Sequence, residues 1–176
     1  RHFAQHHAGD ARTALTARAV RMYGMPLSPA EKVNIGIGAD IDVQENSTFG
    51  MLPPNQLFED TLSETIAGIR VELMHAPGET DDQLFVWLPD LGVLCSGDNI
   101  YKAFPNLYTI RGTTYRDVKA WVESLDKMRD RAPEYLIPSH GRPLSGKDLI
   151  HTTLTDYRDG VRFVYEQTMR RLNQGQ

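Results

Sequence analysis

The sequence predicts an α/β fold, a sheet with helices docked against it. Short apolar runs bounded by turn residues recur between positions 60 and 138, as strands do. Two stretches, 116–130 and 146–175, instead carry apolar residues three and four apart, the period of a helix with one buried face. Polar residues able to do chemistry sit where the apolar runs end, which is where a rigid sheet can aim a loop residue.

The first helix is expected over "DARTALTARAVRMYG", with Asp10 as N-cap, a stripe of Ala11, Leu15, Ala19 and Met22, and Gly24 as its stop. Met25 to Pro54 is rich in Gly, Pro, Asn and Asp and holds only short apolar pieces such as "VNIGIG", so it reads as a long loop with one or two short strands. "DTLSETIAGIRVELMHA" reads as a hairpin turning near Ala67 and Gly68. In its second arm Ile69, Val71 and Leu73 alternate with Arg70 and Glu72, the pattern of a half-buried strand. "QLFVWLPDLGVLCSGD" reads as a second hairpin turning near Asp90 and Gly92. Its first arm is apolar enough to be buried on both faces, and Cys95 is expected as a small buried strand residue. "RDVKAWVESLDKMRD" places Val118, Trp121, Val122, Leu125 and Met128 on one face of a helix docked on the sheet. "EYLIPSH" reads as a short buried strand running into a loop. The last element is a long amphipathic helix with Ile150, Leu154, Tyr157, Val161, Val164, Thr168 and Leu172 on its stripe and Gly160 weakening its middle.

Composition bounds the function. The chain has 176 residues, 40% hydrophobic and 24% charged, which is one globular domain's worth with enough apolar material for a real core. A net charge of −4 argues against a nucleic-acid partner, and no apolar run has the length of a membrane span. A single cysteine excludes an intrachain disulfide framework. The chain opens on Arg1, with neither an initiator methionine nor a signal-peptide pattern, so it is expected to be a piece of a longer protein.

The turn "HAPGETDDQLFVW" poses the functional question, because it crowds Glu79, Asp81 and Asp82 between two strand-like runs. Pro77 and Gly78 serve the turn, but three carboxylates do not; their repulsion needs solvent, arginines or a cation to offset it. Asp98 ends "LGVLCSGD" and His140 ends "YLIPSH". Two carboxylates and an imidazole suit a hard-to-borderline divalent ion such as zinc. Taken singly, each has a plainer reading: a solvated acidic turn, a turn aspartate before Asn99, and a hydrogen-bonded loop histidine.

"GETDDQLFVWLPDLGVLCSGDNIYKAFPNLYTIRG", then "YRDVKAW" and "PSH", resemble the metallo-β-lactamase superfamily and in particular its alkylsulfatase branch. The likeness begins at "ARAVRMYG" and runs through "YRDGVRFVYEQTMRRLNQG". The resemblance implies the C-terminal portion of an αββα sandwich over residues 1–145, with residues 146–176 as a long helix leading toward a dimerisation domain, and hence a homo-oligomer. It implies a site with two zinc ions, held in relatives by an His-x-His-x-Asp-His motif, a glutamate, a bridging acidic residue and a final histidine. Glu79, Asp98 and His140 match the last three by position, with Asp82 in reserve for Glu79. Asp81 and Asp82 otherwise orient the turn.

Alkylsulfatases usually carry glutamate where this chain has Asp98, and the four-ligand motif is not found in this sequence. "RHFAQHHAGD" offers His2, His6, His7 and Asp10, but at the wrong spacing and without a preceding buried strand. The resemblance therefore places the start of the chain after that motif.

It further implies zinc-dependent hydrolysis of a sulfate ester. Glu79 and Asp98 would hold the ions that supply hydroxide as nucleophile or base, while Arg111, Asn106, Tyr108 and Tyr23 would contact the substrate. Arg111 paired with a surface carboxylate and Tyr108 as ordinary core are the plainer readings. Hydrolysis of a lactone, thioester or phosphoester on the same fold remains an alternative, as does a non-catalytic assembly role; alone, the chain is expected to be inactive.

Overall fold

The computed structural model describes residues 17–32, 52–101, 103–107 and 115–176. The chain forms two compact units, Arg1–Asn55 and Gln56–Gln176. In the first, residues 17–22 are helical, which is the end of the expected first helix. Residues 10–16 of that helix, the "VNIGIG" segment, Tyr108 and Arg111 lie outside the described residues.

The second unit carries the sheet. Its strands are β1 (Thr61–Ile66), β2 (Ile69–His75), β3 (Leu84–Leu88), β4 (Val93–Gly97), β5 (Tyr135–Pro138) and β6 (Leu144–Ser145), lying side by side in chain order. Neighbours are antiparallel except β4 and β5, which run parallel. A parallel pair needs a crossover, and helix α1 (Val118–Asp130) supplies it. Helix α2 (Lys147–Asn173) follows β6. The β1–β2 turn falls at Ala67 and Gly68, both with positive φ (51° and 82°), the two-residue geometry that matches strand twist.

Helix α1 starts where Asp117 accepts the Ala120 N–H at 3.0 Å, and its last turn carries Lys127 and Arg129 against the helix dipole. Trp121, Leu125 and Met128 then pack with Ile150 and Leu154 of α2 onto Phe85, Trp87, Leu94 and Leu136 of the sheet. Each such side chain removed from water contributes about 1.5–3 kcal/mol. Asp126 of α1 ties the helices together by meeting Arg158 of α2 at 2.8 Å, and it also pairs within its own helix with Arg129 at 3.2 Å.

The strand faces differ from expectation. On β2 the core-facing residues are Met74 and, just beyond the strand, Ala76; Met74 pairs with Phe85, and Glu72 lies on the same face opposite Trp87, with Arg131 at 3.8 Å. Ile69, Val71 and Leu73 alternate on the other face. The β3 strand is buried through Phe85 and Trp87 only, β5 through Leu136 only, and Cys95 is half-buried. The middle of the sheet is apolar on both faces, so a period of two could locate the strands without saying which face meets the helices. On α2 the stripe is buried at Ile150, Leu154 and Val161, whereas Val164 and Leu172 are exposed. Strand β6 had no signal in the sequence beyond two residues.

Candidate functional site

The β4–β5 register, with Gly97 opposite Pro138, brings the next residues of both strands together. Asp98 Oδ1 lies 2.6 Å from His140 Nδ1, both side chains half-buried. An ionised carboxylate only accepts hydrogen bonds, so Nδ1 is the donor in this contact, and a ring whose proton sits there in its neutral form keeps the Nε2 lone pair for another partner. Gly97, just before Asp98, has a φ of +60°, which favours glycine, and a Cβ there would press on Gln83 Nε2 at 2.0 Å.

Glu79 stands in the turn after β2, and the turn is pinned from below by Asn99. This asparagine is fully buried. Its Nδ2 donates to the Ala76 carbonyl at 2.6 Å, its Oδ1 accepts the Glu79 N–H at 3.4 Å, and its carbonyl accepts Trp121 Nε1–H at 3.0 Å. Ser124 Oγ donates to the Pro77 carbonyl at 2.7 Å. A core helix therefore holds the acidic turn directly. Within the turn, Thr80 Oγ1 donates to Asp82 Oδ1 at 2.7 Å, so Asp82 closes the loop on itself.

The partner of Glu79 is Arg116, which the sequence did not single out. Arg116 Nη2 donates to Glu79 Oε1 at 2.6 Å, and Nη1 donates to the Asn106 carbonyl. The Asn106 N–H donates to Tyr101 Oη at 3.4 Å. Tyr101 meets Tyr157 of α2 edge-on, ring centroids 6.4 Å apart. Burial pushes the Tyr101 phenol up from its ordinary value, with Glu79 and Asp98 adding to the shift and the Asn106 N–H and Arg116 opposing it. Burial pushes Tyr157 further up, reinforced by Tyr101, Glu79 and Asp98. Both carboxylates thus act on the same two phenols. A pocket of about 360 Å³ opens beside them, lined by Ile100, Phe104, Leu136 and Leu144 among others.

Of the expected site residues, the structure joins Asp98 with His140, and Glu79 with the backbone of Asn106 through Arg116. Among the described residues no three His, Cys, Asp or Glu side chains gather into a metal-ligand group. Tyr23 belongs to the first unit. Tyr108 and Arg111 fall outside the described set.

Residues 6–140 match the family model described as the metallo-beta-lactamase superfamily, and the chain belongs to that superfamily. Within it, the relatives are alkylsulfatases. The chain is 37% identical over 164 residues to a linear primary-alkylsulfatase from a Pseudomonas species, covering 92% of this chain and 30% of that one. It is 31% identical over 169 residues to an alkyl/aryl-sulfatase of Saccharomyces cerevisiae, covering 92% and 26%. Among solved structures, the stereoselective inverting sec-alkylsulfatase Pisa1 from Pseudomonas sp. matches with a TM-score of 0.77 at 31% identity, over 93% of this chain and 27% of that one. The chain thus spans under a third of the length of these relatives.

Proposed function

We propose that this chain supplies part of the active site of a zinc-dependent hydrolase of sulfate esters. The observation that carries the reading is the Asp98–His140 pair at 2.6 Å on adjacent strand ends, with Glu79 anchored in the neighbouring turn. The donor set fits zinc: carboxylate oxygens, and an imidazole whose Nδ1–H is held by a carboxylate so that Nε2 can ligate. Glu79, Asp98 and His140 would hold two ions together with ligands from other residues. When bound, zinc lowers the pKa of water and polarises the oxygens of the ester.

The rest is done by this chain's own groups. Asp98 sets the direction of the His140 ring, and Arg116 sets that of Glu79. Arg111, a fork suited to a tetrahedral oxyanion, would bind the sulfate, and Asn106, Tyr108 and Tyr23 are proposed as further substrate contacts. The apolar pocket beside Tyr101 has room for an alkyl chain. Residues 146–176 extend toward an association module; Phe163, Met169 and Leu172, all exposed on α2, support self-association there.

The test is Arg111→Ala in the full-length gene product. Losing one charge-assisted donor pair lowers kcat/KM on a medium-chain alkyl sulfate by about 2–4 kcal/mol of transition-state stabilisation, while zinc binding stays. Unchanged sulfate turnover would rule out this role of Arg111, and a wild type that does not turn over the sulfate ester would instead favour a lactone, thioester or phosphoester substrate.

A further inference from the structure

We infer that Arg116 is a positioning residue of this site, a single guanidinium that sets both the metal-facing turn and the loop after β4. The inference rests on the function proposed above. The Arg116 side chain is 6% exposed, against 23% for Glu79, so the cation is the fixed member of the pair and the carboxylate the accessible one. Its two Nη atoms reach in two directions, to Glu79 Oε1 and to the Asn106 carbonyl, joining segments 27 residues apart in sequence.

Among the described residues Glu79 Oε1 is the oxygen that Arg116 engages, and none donates to Oε2. A carboxylate tied by one oxygen to an immobile cation presents the other in a set direction, so a metal ion is met without first breaking the ion pair. The planar fork bonds the two segments from two separate, fixed nitrogens, whereas an ammonium ion has a single nitrogen and no fixed donor plane. Loss of Arg116 therefore frees two things together, the orientation of Glu79 and the backbone at Asn106. Zinc affinity and substrate binding should suffer even though Arg116 touches neither ligand.

The experiment is made on the full-length gene product, with the zinc dissociation constant read by competition against a fluorescent chelator and kcat and KM read on an alkyl sulfate. Arg116→Lys keeps the charge and is expected to weaken zinc by about 10–100-fold and raise KM, while the zinc-free protein unfolds close to wild type. Zinc affinity within about twofold of wild type overturns the inference, on the same scale of supporting-shell effects. Glu79→Gln separates the two levels: if it retains full zinc affinity, the metal role of Glu79 fails and the role of Arg116 falls with it. If it loses zinc while Arg116→Lys does not, only the positioning role fails. Should Arg116→Lys not fold, Arg116→Ala assayed with added methylguanidinium gives a second reading. Zinc affinity that rises with methylguanidinium supports the inference, and affinity independent of it overturns it.

Discussion

Replacing Gly78 by alanine should unseat the acidic turn. A Cβ at Gly78 would lie 2.1 Å from Asn99 Oδ1, 2.8 Å from Asn99 Cγ and 3.0 Å from Trp121 Cδ1. None of these atoms has room to retreat, because Asn99 and Trp121 are fully buried and hydrogen-bonded to each other. Overpacking of this kind costs about 1–3 kcal/mol. Moving Asn99 also strands its bonds to Ala76 and Glu79 in the interior, at about 1–3 kcal/mol more. The sum is about 2–6 kcal/mol, which at a urea m-value of about 2 kcal/mol/M lowers the midpoint by roughly 1–3 M with m unchanged. Gly160→Ala is the contrast: its Cβ would meet Phe104 at an ordinary 3.5 Å, and removing glycine from a helix interior gains about 0.5–1 kcal/mol. Urea unfolding followed by circular dichroism reads both. A Gly78→Ala protein within 1 kcal/mol of wild type would refute the wedge between Asn99 and the turn, since about that much is lost from overpacking alone.

Three further outcomes are expected. In the full-length gene product Asp98→Asn and His140→Ala each cut alkyl sulfate hydrolysis by about 100-fold or more, whereas Asp81→Asn, in an exposed part of the turn, stays near wild type; steady-state rates decide it. Tyr157 binds its proton more tightly folded than unfolded, so the folded chain holds more protons above its ordinary pKa of 10.0. Stability is then complete below pH 10 and falls as pH rises beyond it, and Tyr157→Phe flattens that fall in urea titrations at graded pH. Charged replacements at the exposed Phe163 and Leu172 lower the mass seen by light scattering, if α2 carries the self-association proposed for it.

What the sequence made legible is what short-range pattern controls. The α1 face came through at Trp121, Leu125 and Met128 because helical period and burial agree there. Asp98 and His140 stood out because each ends an apolar run, and the β4–β5 register, spanning 42 residues, then joins them. The core face of β2 is not legible in the sequence because Leu73 and Met74 are both apolar, and only the pairing of Met74 with Phe85 decides which meets the core. Arg116 was invisible for a related reason. An arginine just ahead of a helix reads as solvated flank, and its role comes from a carboxylate 37 residues away. Asn99 likewise looks like a turn residue until three hydrogen bonds bury it.

The central claim is that this chain gives zinc ligands to a hydrolytic site, and zinc content tests it most directly. The full-length gene product and its Asp98→Asn variant are stripped with EDTA, reconstituted with zinc, freed of excess metal and measured by elemental mass spectrometry. The account predicts two zinc ions per chain in the wild type and at least one fewer in the variant. Equal zinc in the two proteins, or a wild type that takes up none, would contradict it.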